Sequence, residues 1–484
     1  MSANMTRARD NGRGVSRRDF LGRLMTGIGA SALASYTAES TASAAAVPAP
    51  AARLAAAAPA GGKKPYAGVT VRVVCDENAL INLIGSGSPR LKKFLDDTGM
   101  TLTPVTIPYD SLLEKIMIDL TSKTGEYDIV SPDGAWAGQI MASGGVEPLD
   151  KFYTELKSDR DYDFNDLIPS ALSFCSLKGV PYGLPYWTHS NAWMVYRQDV
   201  LEAAKLEPPK TLEDLVAVAK AIQGSKGPDG KVFKYGTAGA GMRGDYIVME
   251  WMQRMLSACE TNNGVGQTVL WDEKWKPTFN DANGIAMAEY YRDLLNRYGP
   301  PGASGMTWGE VRPLLFAGEV AIIGMAWDGW VLRFTDPKNT PYVGKFTWAP
   351  CPVKAGCTRG GVLGERPLYL NANSKNKQAA LAVMKWATSK DGDLAMTESV
   401  SPGVVRASTI QNPIYQRKYP MMSRRLEAYK NVTPEPLIPE WAEVKEHLGL
   451  ALSQILSKEK GAKEALDIAS AQTEKIFQKS GYYK

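Results

Sequence analysis

Short apolar runs rich in Val, Ile and Leu alternate with longer stretches whose apolar residues recur every third or fourth position, from about residue 69 to residue 477. The first pattern predicts buried strands and the second amphipathic helices. Strands are expected over 69–74, 101–107 and 127–131. Between the first two lies a helix that Ser88-Pro89 opens and Gly99 ends, a cap and a breaker where helices favour them. Residues 111–121 form the next helix, with Asp110 or Ser111 as its cap. Strands alternating with helices predict an α/β layout with a mainly parallel sheet. Helices over 211–222, 245–256, 280–298 and 308–317 then lead to a buried strand at 320–325. Strands at 346–349 and 368–371 and helices at 377–388, 441–457 and 463–477 complete the pattern, which shows no internal repeat.

One stretch breaks the alternation. Residues 177–199 carry Tyr186, Trp187 and Trp193 among prolines and small polar residues. Lys178-Gly179 reads as a hairpin turn, 182–184 and 191–197 as extended pieces, and a helix starts near Asp199. Aromatics and amides on a chain that passes from one strand to another suit the floor of a small-molecule site, or equally an aromatic-rich core. In parallel sheets ligands gather beyond the strand carboxyl ends. Those ends are Asp76-Glu77-Asn78 after the first strand and Asp133 to Trp136 after the third.

Composition changes the picture mainly at the amino terminus. The 484-residue chain carries a net charge of +5, which suggests a polyanion partner until it is located. Residues 1–64 hold +6 of it, leaving −1 for the rest, so nothing points to nucleic acid. Ser16-Arg17-Arg18-Asp19-Phe20-Leu21 and the weakly apolar run behind it resemble a twin-arginine export signal, with Gly22 where such signals often have Lys. The run is too short and too diluted by glycine and serine for a membrane anchor. Small residues at 42–46 offer two cleavage sites, so residues 1–46 are expected to be the signal peptide and the Ala/Pro-rich 47–65 a linker with too little to bury. This implies passage through the twin-arginine translocase to the periplasm.

Five cysteines leave at least one unpaired within the chain. Cys351 and Cys357 could close a small loop in an oxidising compartment, while Cys75, Cys175 and Cys259 lie in apolar runs that predict burial. With no Cys-x-x-Cys and only His189 and His447, no metal centre or cofactor is expected. Asp159-x-Asp161-x-Asp163 lacks the glycine and the bidentate Glu of a calcium loop, and Gly239-x-Gly241-x-x-Gly244 sits mid-chain without the acid that a dinucleotide fold needs.

Several segments, in order, resemble the extracellular solute-binding proteins of ABC importers, in particular the sugar-type (family 1) group. They are Gly125 to Val130, Val180 to Tyr196, Pro209 to Leu215, Phe316 to Ala321 leading to Trp327, and Ser374 to Ala380. The resemblance spans about 69–477. It implies a two-lobed periplasmic-binding-protein fold of type II, with a ligand cleft between α/β lobes joined by crossing strands. The implied division is 66–190 plus 350–390 for one lobe and 191–349 plus 391–484 for the other, with crossings near 188–195, 346–352 and 388–393. It also implies a monomer that captures a carbohydrate or polyol and presents it to ABC importer membrane subunits, without catalysis.

A sugar ring has an apolar C–H face, which an indole covers, and a polar rim, which acids and amides bind. Trp136, Trp187, Trp327 and Trp330 are therefore the stacking candidates, and Asp76, Glu77, Asn78, Asp133 and Asp328 the hydroxyl readers. His189 and Asn191 lie on the crossing, and Glu365 and Arg366 precede a strand where the family brings backbone to the ligand. Arg406 and Trp441 follow from the family's later cleft segments. Paired carboxylates beside Trp also describe a glycan hydrolase or lyase. Acids beside Trp suit a polyamine, and Arg366 or Arg406 would suit a glycerophosphodiester.

Overall fold

Val73, Val74 and Cys75 at the end of the first apolar run are all at most 1% exposed, as a strand end covered on both faces requires, while Arg72 before them is exposed. The computed structural model describes residues 64–483 except 77–78, 86, 259–268, 358–359, 400–402 and 423, so the expected signal and nearly all of the linker lie outside it. In chain order the strands are β1 (Thr70–Cys75), β2 (Thr101–Thr106), β3 (Ile129–Val130), β4 (Ser176–Leu177), β5 (Val180–Pro181), β6 (Gly183–Ser190), β7 (Trp193–Arg197), β8 (Ile322–Ala326), β9 (Phe346–Pro350), β10 (Val362–Leu370) and β11 (Thr433–Pro434). The larger sheet runs β11-β10-β3-β1-β2, with β6 also on β10, and the smaller runs β8-β7-β9. Lys178 (φ 50°) and Gly179 (φ 82°) make the expected hairpin turn between β4 and β5.

The larger sheet is mixed where a mainly parallel one was expected. β1 is parallel to β2 and β3, but β10 runs antiparallel to both β3 and β6. The reason is connectivity: β10 enters from the smaller sheet, after β9, and so arrives from the opposite direction. Local signals hold well elsewhere. Ser88 Oγ accepts the Leu91 N–H at 3.2 Å, Gly99 closes that helix at φ 74°, and Thr211 and Asp214 form a capping box on the helix Leu212–Ile222. The helix Tyr109–Ser122 starts before either expected cap, on Pro108.

The chain crosses between sheets from β6 to β7 and again from β9 to β10. The expected third crossing at 388–393 lies instead in helical structure. The helix Lys390–Ser399 packs on the helices Ala79–Gly85 and Pro89–Thr98, and β11 extends the larger sheet beside β10. Only after β11 does the chain reach the helix Trp441–Leu456, which packs on Asp245–Ser257 and Ala282–Tyr298. We therefore propose a division that keeps 391–434 with the larger sheet. Behind the smaller sheet, Met194, Tyr196, Leu215, Ile222, Phe233 and Ile322 form one apolar core.

Polar side chains fasten the first crossing. Asn191 Oδ1 accepts the Val362 N–H at 2.6 Å and its Nδ2 donates to Met249 O at 3.4 Å. Asp328 accepts the Ser190 N–H at 3.0 Å, Arg425 Nε at 3.0 Å and Tyr429 Oη at 2.9 Å, and Arg425 also donates to Thr188 O. Cys351 is a buried free thiol and Cys357 is disulfide-bonded, so these two do not pair with each other. Cys75 and Cys175 are buried as expected, and Cys259 lies outside the described residues. Asp159 and Asp163 pair with Lys385 (2.5 Å) and Lys390 (2.8 Å). The spaced glycines answer to packing: a Cβ at Gly239 would meet Tyr291 Oη at 2.6 Å, and one at Gly241 the Ala303 carbonyl at 2.4 Å. Asp245 begins its helix one residue inside the Gly244 cap.

Candidate functional site

Two strand ends and the β6–β10 ladder of the larger sheet converge on one guanidinium. Asp76 follows β1, and Asp133, beyond β3, caps the short turn Gly134–Trp136 through the Ala135 N–H at 2.9 Å. Arg366 lies opposite Trp187 in the ladder; its Nη1 donates to Asp133 Oδ2 and its Nη2 to Asp76 Oδ2 at 3.3 Å. Burial works against the charge on Arg366, but Asp133 and Asp76 outweigh it and raise its pKa. Burial likewise opposes ionisation of Asp133, but Arg366, the Ala135 N–H and Lys445 together hold its carboxyl below the usual range.

Aromatic rings continue from this cluster to the smaller sheet. The Trp187 and His189 rings lie 4.3 Å apart, His189 and Trp327 4.6 Å, Trp327 and Trp308 5.5 Å, and Trp308 and Tyr246 4.9 Å. Trp327 directly follows β8, so it too sits beyond a strand's carboxyl end. Gly364 makes the chain of rings possible, because a Cβ there would lie 2.0 Å from His189 Nε2. Burial first, then Arg366, pushes the His189 pKa down to about 3, so the imidazole is neutral. The Tyr109 ring lies tilted against Trp136, centroids 4.9 Å apart, and its hydroxyl donates to Asp133 Oδ2 at 3.3 Å.

Tyr109 identifies the shape of the site. It is 40% exposed, yet its pKa is raised well above the ordinary value, first by burial and then by Asp133, Asp245 and Glu435. A side chain that water reaches while protein surrounds it lines a crevice. Asp133, Trp136, Trp187, His189 and Trp308 are likewise half-buried. The far wall repeats the charge arrangement of the near one: Lys445 Nζ pairs with Asp245 and with Glu435, each at 2.6 Å. On both walls two carboxylates share one cation. Two buried donors, Trp327 Nε1 and Arg366 Nε, have no acceptor among the described residues.

Of the residues expected from sequence, the structure brings Asp76, Asp133, Trp136, Trp187, His189, Trp327 and Arg366 together, with Trp330 behind Trp308 at 6.4 Å. Glu77 and Asn78 lie outside the described residues. Five expected residues are instead enclosed by other protein groups. Asn191 and Asp328 fasten the crossing, as above, and both are fully buried. Arg406 is fully buried too, donating to Thr388 O at 2.7 Å and Asp163 O at 3.0 Å. Trp441, 1% exposed, donates to Glu435 Oε2 at 2.7 Å. Glu365 points away from Arg366 toward Cys175 Sγ (3.8 Å), and burial without a counter-charge raises its pKa well above the usual value. Sequence reasoning missed Tyr109, Asp245, Trp308, Glu435 and Lys445. Tyr109 was findable by the rule that found Asp76, since it follows β2.

A family model described as bacterial extracellular solute-binding protein matches residues 85–393. A mannitol-binding protein of Pseudomonas aeruginosa is 27% identical over 421 residues, covering 82% of this chain and 91% of that protein. The crystal structure of an ABC transporter solute-binding protein from Agrobacterium radiobacter in complex with ribitol superposes with a TM-score of 0.74 at 27% identity, covering 86% of this chain and all of that one. One from Agrobacterium vitis with bound D-mannitol gives 0.67, also at 27% identity, covering 86% and 99%. These neighbours share the two-lobed α/β architecture.

Proposed function

This chain belongs to the bacterial extracellular solute-binding proteins, and from that premise we propose that it captures a polyol or small sugar in the crevice and presents it to an ABC importer. The observation that carries the reading is the aromatic chain from Trp187 through His189 and Trp327 to Trp308, set between two clusters of paired charge. Flat rings cover the C–H face of a polyol. A hydroxyl both donates and accepts, so it can serve the carboxylate oxygens of either wall and the unpartnered N–H groups of Trp327 and Arg366. Among the described residues, Arg366 and Lys445 are already matched by carboxylates and His189 is neutral, so neither cation is free for a sugar acid or phosphate. The relatives that carry mannitol or ribitol support the polyol reading.

The lobes then close on the solute as a hinge motion about the crossings, and the membrane subunits select the closed form. We place the mature protein in the periplasm, exported folded through its twin-arginine leader and acting as a monomer. Titration calorimetry with D-mannitol, ribitol, D-tagatose and maltose tests the reading, together with native mass spectrometry of protein purified from its own periplasm. Saturable polyol binding, or release of an intact polyol, supports it. A phosphodiester or polyamine released, with no polyol bound, overturns the solute class, and turnover of a glycan by the protein alone overturns the binding role.

A further inference from the structure

A cavity of about 270 Å³ lies beside β9, lined by none of the crevice residues named above. β9 is an edge strand with β7 as its neighbour, and Phe346 and Trp348, two residues apart, share one face of it. Phe334 packs edge-on against both, at 4.9 and 5.4 Å. Val343 and Pro420 extend the apolar lining, and Arg417 stands at the rim.

Two donors here have no acceptor among the described residues. Trp348 is 6% exposed, and its indole N–H is buried without a hydrogen-bond partner. Buried donors are nearly always satisfied, by protein or by something bound. Arg417 is exposed at the end of the helix Pro413–Lys418 and makes no ion pair or hydrogen bond among the described residues. Its neighbour Lys418 is engaged, donating to Thr397 O at 2.9 Å.

We propose that this cavity is a second binding site, for a small carboxylate with a ring-sized apolar body. The three aromatic side chains take the body, the Arg417 guanidinium takes the carboxylate in fork geometry, and the Trp348 N–H finds its acceptor. A volume at the small end of ligand pockets limits the body to one or two rings. The crevice solute is excluded, because a polyol would strand its hydroxyls against Phe334, Phe346 and Val343. The two sites thus differ in ligand chemistry as well as position.

Phenylacetate, with phenylacetamide as the uncharged isostere, tests this by ligand-observed NMR titration of the mature protein. Phenylacetate is expected to saturate, with the amide about tenfold weaker because the charge-assisted bonds are gone. Arg417→Ala, a surface change that leaves the core intact, should weaken phenylacetate by a similar factor and leave D-mannitol titration unaltered. Trp348→Phe should weaken it several-fold. Excess D-mannitol should displace none of it. Absence of saturation, equal affinity for the amide, indifference to Arg417→Ala, or displacement by D-mannitol would each overturn the proposal.

Discussion

Replacing Arg366 with Met keeps most of the side-chain volume and removes the charge that Asp76 and Asp133 share. All three side chains are largely enclosed, with exposures of 10%, 12% and 18% for Arg366, Asp76 and Asp133. At an effective dielectric of about 20, unit charges separated as Arg366 and Asp76 are attract by about 5 kcal/mol, and desolvation offsets part of that. Stranding two carboxylates without their cation is therefore expected to cost about 3 kcal/mol near neutral pH. The pH dependence distinguishes this from a packing defect. In the native protein the Asp133 pKa is lowered, so its contribution is present above the unfolded-state carboxylate value and is lost as pH falls through the lowered one. In Arg366→Met burial acts on Asp133 without the guanidinium, so its pKa rises and its ionised form is penalised near neutrality. That penalty shrinks as pH falls and the carboxyl takes up its proton. Urea unfolding followed by tryptophan fluorescence should show a deficit that is largest near pH 7 and narrows toward about pH 4.5. Groups that do not feel Arg366, Glu365 included, cancel in the difference, whereas His189, relieved of the guanidinium, takes up its proton more readily in the variant and narrows the deficit in the same direction. A deficit below about 1 kcal/mol near pH 7, or one unchanged across the range, would refute the reasoning.

Other outcomes follow from single contacts. Trp187→Ala and Trp327→Ala should each weaken polyol binding about tenfold, or about 1.4 kcal/mol, by calorimetry; unchanged affinity in a folded variant would remove that ring from the site. Gly364→Ala sets a methyl 2.0 Å from His189 Nε2, so it should abolish polyol binding through displacement of the imidazole, visible as a changed His189 NMR signal. Glu365 has a raised folded pKa, so the native protein loses stability as pH rises above the unfolded-state carboxylate value. Glu365→Gln should therefore gain on the native protein between acid and neutral pH, and parallel pH–stability curves would show that the buried carboxyl is ionised after all. Arg17→Lys with Arg18→Lys should hold the precursor in the cytoplasm, and normal periplasmic yield would rule out the twin-arginine route.

Local and periodic features were readable along the chain. β1, β2 and the helices capped by Ser88 and Thr211 appear where apolar spacing and capping chemistry put them, because those signals act over a few residues. The strand-end rule and the family resemblance together nominated Asp76, Asp133, Trp187, Trp327 and Arg366, which the fold brings into one cluster. Tertiary structure alone decided which way equivalent-looking side chains point. Arg366 reaches the crevice while Glu365, one residue earlier on the same strand, is turned into the interior, since a strand sends neighbours to opposite faces. Asn191 and Asp328 have the same residue types as a solute reader would, yet their partners Val362, Met249 and Arg425 lie 58 to 171 positions away. Lys445, Glu435 and Asp245 meet from three separate segments, so no local pattern announces them. Periodicity records how much of a residue is buried; what it is buried against is set by contacts that only the folded chain makes.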